Sequence, residues 1–261
     1  MTKRKRAVSE YPDEYPNASE DDEPERASQT KRFRSSFANT ITVLAVDDKV
    51  PFTVHTETLR AKSDFFVKAC QREWIKRQDK TVKLPEVEPE TFELYATWSY
   101  FDKIDLEALR LVKAGEANHL RRHEETQEQR EVWASGTRSL MHLYVAADFL
   151  GDKELKKRTI DCLTEIVETR HQLHGLRGLL LFVWKSTPPG SGLRTLLLDY
   201  IVSYRDSIHQ WVKGLEGVMS ADFFVDLALH QLKRNKCFDN TRHKPLPGRK
   251  HMYYDGYESD A

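Results

Sequence analysis

Apolar and polar positions change their period several times along the chain. Ile41-Thr42-Val43-Leu44-Ala45-Val46 is a β-branched, apolar run closed by Asp47-Asp48-Lys49, and Pro51-Phe52-Thr53-Val54-His55 follows at once. Two such runs around a polar turn predict a β-hairpin. Pro51 cannot donate a ladder hydrogen bond and suits the start of a strand. The spacing then becomes helical. Thr56 is placed to cap a short helix carrying Leu59, and Ser63 to cap the next, which carries Phe66, Val67 and Cys70. Thr81-Val82-Lys83-Leu84 predicts a third short strand. Pro89 fits the first turn of a helix with Phe92, Tyr95, Ala96 and Ser99 on its apolar side.

The pattern weakens over residues 105–136. Leu106, Leu109, Val112 and Leu120 form a modest stripe, and residues 121–131 are polar all round. This stretch is expected to be an inserted surface segment, helical in part or disordered. A clear stripe returns between Thr137 and Leu150 with Leu140, Leu143, Tyr144 and Ala147. Gly151 then marks a helix stop and Asp152 a new cap. Leu155, Cys162, Leu163, Ile166 and Val167 place the next helix. Three further helical segments are centred on Leu176–Val183, Leu193–Tyr204 and Phe224–Leu232, with Gly190-Ser191-Gly192 reading as a linker after Pro188-Pro189. Three short strands followed by helices alone predict an α+β domain, its helices gathered around a small sheet.

The ends differ from this body. Residues 1–37 carry blocks of like charge and few large aliphatic side chains, a composition that cannot offset the entropy of ordering. They are expected to be a disordered tail, and residues 236–261, rich in polar groups with Pro245, Pro247 and Gly248, a flexible one. Lys3-Arg4-Lys5-Arg6 fits a nuclear-import signal or a solvated basic end. No apolar stretch of a signal peptide or membrane span is present, so a nuclear or cytoplasmic setting without membrane contact is expected.

The charges balance, 41 Lys plus Arg against 41 Asp plus Glu, which gives no basic excess for nucleic acid. The three cysteines, Cys70, Cys162 and Cys237, are far apart and form neither a disulfide framework nor a zinc motif. His119 and His123 share a helix spacing but lack a third ligand, as do His171 and His174. No phosphate-binding loop, dinucleotide fingerprint or nucleophile elbow occurs. The expectation is a protein without catalysis, cofactor or metal.

Four segments carry a family resemblance. Phe52-Thr53-Val54-His55, with Leu59, Ser63, Phe65 and Phe66, resembles the signature of the BTB/POZ family. Val82-Lys83-Leu84-Pro85-Glu86 with Pro89 and Phe92 looks like that family's third strand and following helix. Trp98-Ser99-Tyr100 and Leu143–Asp152 are similar to its later helices, and the flavour is that of fungal members. The resemblance covers residues 38–168, interrupted at 105–136, and leaves 169–235 as a helical C-terminal extension.

It implies a small three-stranded sheet with a cluster of helices, and a module that self-associates, as a homodimer, and recruits protein partners. Some members are substrate adaptors for cullin-type ubiquitin ligases; others are transcriptional co-regulators or nuclear scaffolds. Cullin-binding members carry a hydrophobic residue two before a Glu ahead of the third strand. Here Trp74-Ile75-Lys76 stands at that place, with a base where the acid is expected. A contact built for a carboxylate would meet the wrong charge, so a cullin partner is disfavoured.

Overall fold

The computed structural model describes residues 39–46, 50–71, 80–107, 109, 111, 126–170, 173, 176–204, 212–236 and 252–255. The tail at 1–37, Lys3, Arg4, Lys5 and Arg6, the segment Trp74-Ile75-Lys76, residues 121–125 and most of the C-terminal end lie outside the described residues.

Alternation sets the first strand. In β1 (Thr40–Ala45), Ile41, Val43 and Ala45 are buried while the intervening residues are partly exposed, as a half-buried strand requires. β2 (Val50–His55) pairs with it antiparallel, Val43 opposite Phe52. β3 (Thr81–Leu84) pairs on the other side in parallel, Val43 opposite Val82, so the sheet order is β2-β1-β3. The parallel partner needs a crossover, and two short helices lie in it: α1 (Thr56–Lys62) and α2 (Asp64–Ala69).

After β3 the described chain is helical: α3 (Pro89–Phe101), α4 (Gln127–Leu150), α5 (Lys153–Arg170), α6 (Leu176–Ser186), α7 (Gly192–Tyr204) and α8 (Ala221–Lys236). Three strands and eight helices among the described residues make an α+β architecture.

Two apolar clusters share α4 as a wall. One joins the sheet residues Val43, Val54 and Leu84 to Leu59, Phe66, Phe92 and Trp98, closed by Leu143, Ala147 and Leu150 of α4. The other uses Leu140, Met141 and Tyr144 of α4 against Leu163 and Val167 of α5, Leu180 of α6, Leu197 of α7 and Phe223 of α8. Because α4 carries apolar residues on two faces, the helices after residue 170 complete the body rather than hang from it.

Helix ends follow local chemistry. Ser63 caps α2, its Oγ accepting from the Phe66 N–H at 3.1 Å. Gly151 ends α4 at φ 72°, the left-handed region where a glycine costs least. The Asp152 N–H reaches back to the Ala147 carbonyl at 2.9 Å. Asp152 then caps α5 through the Leu155 N–H at 2.8 Å and accepts from Trp98 Nε1 at 2.9 Å. Burial pushes the Asp152 carboxyl above its ordinary range even against those bonds.

Four expectations need correction. Thr56 does not cap α1; it is a buried residue inside it, and His55 holds the cap position without a side-chain bond. The insertion expected over 105–136 ends earlier, because α4 starts at Gln127 and not at Thr137. Thr126 and Gln129 form a reciprocal capping box. Trp133 and Gly136 are buried, and a Cβ at Gly136 would lie 2.6 Å from the Leu111 side chain. Gly192 is no linker residue but the first residue of α7. Finally, residues 252–255, within the expected flexible end, form a turn with Tyr253 buried against the second cluster.

Candidate protein-interaction surfaces

The residues that carry the family resemblance meet in one place. Phe52 of β2 packs on Phe92 of α3, ring centroids 5.0 Å apart. His55 ends β2, and the Tyr100 hydroxyl accepts its backbone N–H at 3.0 Å and lies 2.7 Å from its Nδ1. These contacts lock the corner between β2 and α1 to the end of α3. Leu59 and Phe66 are fully buried. Besides capping α2, Ser63 Oγ donates to the Leu150 carbonyl at 2.6 Å, tying α2 to the last turn of α4. Phe65 bridges Phe66 and Phe149, at 5.3 and 5.2 Å between centroids. All six side chains therefore serve packing and hydrogen bonding inside the sheet cluster, and the group holds no acid–base–nucleophile arrangement.

What lies beside this cluster is apolar and open to solvent. Phe149, which borders Phe65, and Val67 are both partly open to solvent, and Phe101 next to Tyr100 is 68% exposed. A second apolar surface runs along α8. Val225, Leu229 and Leu232, spaced by four and three residues, are 54%, 52% and 58% exposed, while Phe223 and Leu227 on the other face are buried. A helix with an apolar stripe on each face exposes more than a solvated surface helix needs. Sequence periodicity merged the two faces, since the buried and exposed stripes interleave along one helix.

Concave features are shallow. Clefts of about 670, 510 and 560 Å³ open on the surface. Glu90, Glu93, Asp105, Glu128 and Glu131 line the first of these, and no basic side chain is among its described lining residues. His142 borders the second, stacked on Phe182 at 4.0 Å between centroids. No group of three or more metal-ligating side chains occurs among the described residues. No described helix is long and apolar enough to cross a membrane.

One polar cluster gave no sequence signal. Arg194 of α7 is buried and reaches four partners. Its Nε donates to Thr187 Oγ1 at 3.1 Å, Nη1 to Asp226 Oδ2 at 3.2 Å, and Nη2 to the carbonyls of Trp184, at 2.7 Å, and Thr187. The guanidinium also lies over the Trp184 ring, 5.2 Å from its centroid. Arg194 thereby ties the end of α6 to α7 and α8. Composition cannot single out one arginine among so many.

No protein-family model matches the chain, and no curated protein matches it.

Proposed function

We propose that the chain is a non-catalytic protein-interaction module of the BTB/POZ type, which self-associates and recruits protein partners. The observation that carries this reading is the arrangement of the N-terminal half. A hairpin, two short helices and a parallel third strand give the sheet order β2-β1-β3. Phe52, His55, Leu59, Ser63, Phe65 and Phe66 gather where that sheet meets α3 and α4. The exposed apolar surfaces along α8 and beside Phe149 agree with a protein that works by contact.

Affinity purification of the tagged full chain, with light scattering on the purified protein, tests the reading. A mass of twice 30.5 kDa with co-purifying proteins is the expected outcome. A strict monomer that recovers nothing sinks it. Recovery of a cullin would select the ubiquitin-ligase adaptor within the same reading. Nuclear factors without a cullin would select a co-regulator or scaffold.

A further inference from the structure

The turn at residues 252–255 is held by side-chain hydrogen bonds as well as by the burial of Tyr253 in the second cluster. The Tyr253 hydroxyl donates to Asp199 of α7 at 2.8 Å, and the Tyr254 hydroxyl donates to Asp161 of α5 at 2.7 Å. The Asp255 carboxylate accepts from the Gly192 N–H at the start of α7 at 2.7 Å. It also accepts from the Tyr144 hydroxyl of α4 at 3.1 and 3.2 Å and pairs with Lys156 of α5. Tyr253, Tyr254 and Asp255 thus touch three helices, α4, α5 and α7, through polar partners.

We infer that the groove between α4, α5 and α7 is a peptide-recognition site for two tyrosines followed by an acid. This chain fills it with its own Tyr253-Tyr254-Asp255, and the external ligand is a partner's segment of the same chemistry. Three observations carry this. The groove is shaped for a backbone: a Cβ on Gly192 would lie 1.6 Å from the Tyr253 carbonyl oxygen. A helix position that excludes every side chain but hydrogen is explained by the segment that crosses it.

The acid-reading end is built from groups outside the segment. Lys156 is held at 2.5 Å by Asp148, which is not part of the turn, and the Gly192 N–H is a free helix-start donor without Asp255. Lastly, 15 residues, 237–251, separate the turn from the end of α8 along the sequence. This inference is independent of the family resemblance, which stops short of α6.

The groove reads unmodified tyrosine. Both hydroxyls donate to carboxylates, so a phosphate on either would remove the donor and set a dianion against Asp161 or Asp199.

The test uses the full chain with a specific protease site inserted between Pro247 and Gly248, folded intact and then cut. The probe is a fluorescent peptide of residues 249–258. The cut chain is expected to exchange its segment for the peptide and bind it saturably. The uncut chain should bind about tenfold or more weakly, because its own segment competes at high effective concentration. Asp255→Ala in the peptide, or a phosphate on Tyr254, should remove binding. A segment that never exchanges, or equal binding of the altered peptides, overturns the proposal.

Gly192→Ala in the uncut chain is the second arm. Its methyl group must expel the segment, while alanine favours α7. Retained helical content, new chymotryptic cleavage at Tyr253 and no peptide uptake are expected. Global unfolding, or continued protection of Tyr253, would mean a fixed part of the core and overturns the proposal.

Discussion

Ser63 shows how much one hydroxyl can organise. It accepts from the Phe66 N–H and donates to the Leu150 carbonyl while almost wholly buried. Ser63→Ala removes a cap and leaves a buried carbonyl unsatisfied. A loss of about 1–3 kcal/mol is expected in the urea midpoint, without change in the described helices by circular dichroism. The cap was legible as a serine ahead of an apolar helix; its second bond, 87 positions along the chain, was not. Arg194 lies at the other extreme. Arg194→Met keeps the apolar stem but takes the charged partner from Asp226, which keeps its bond from Trp184 Nε1, and the donors from the Trp184 and Thr187 carbonyls. A loss of about 3 kcal/mol is expected from the same measurement, and Asp226→Asn combined with it should recover part of that loss. No local pattern announces such a residue, because its partners come from the end of α6 and from α8.

At the scale of elements, α4 and α8 are informative. The start of α4 was written in the sequence as Thr126 followed three residues on by Gln129, a capping-box spacing. It was hidden by the polar run around it, which set a false boundary at Thr137. Trp133, an aromatic in that run, turns inward onto the helical cluster. For α8 the two faces give opposite expectations. Leu227→Ala opens the second cluster and should cost about 2–5 kcal/mol. Leu229→Glu, on the exposed stripe, should change stability by no more than about 0.5 kcal/mol. Thermal unfolding of both variants at low protein concentration checks this, and a similar loss at both sites would contradict the assignment of faces.

For the whole molecule, pH acts on the C-terminal turn through Asp255. Burial works to raise this carboxyl, but Lys156, the Gly192 N–H and the Tyr144 hydroxyl outweigh it and hold the pKa below the ordinary carboxylate range. The charged form is therefore the one bound. Its contribution is fully present above the unfolded carboxylate pKa and is lost as pH falls through the lower folded value. Asp148 of α4 faces the same Lys156. The Gly192 amide resonance should move in that acid window, and Asp255→Asn should abolish the shift. Lys156 itself stays charged throughout, since its two carboxylates outweigh burial and raise its pKa.

Local order was legible in the chain itself. The strands, the crossover helices, the Ser63 and Asp152 caps and the Gly151 stop follow from propensity, period and hydrogen-bonding geometry within a few residues. What only the tertiary structure decided depends on groups far apart in sequence. It set α4 as the wall between two cores, divided α8 into a buried and an open face, buried Arg194 among helix ends, and turned Gly192 from an apparent linker residue into the floor of a groove. Each arises from a partner brought within a few ångströms by folding, and periodicity along one strand of chain carries no information about that partner.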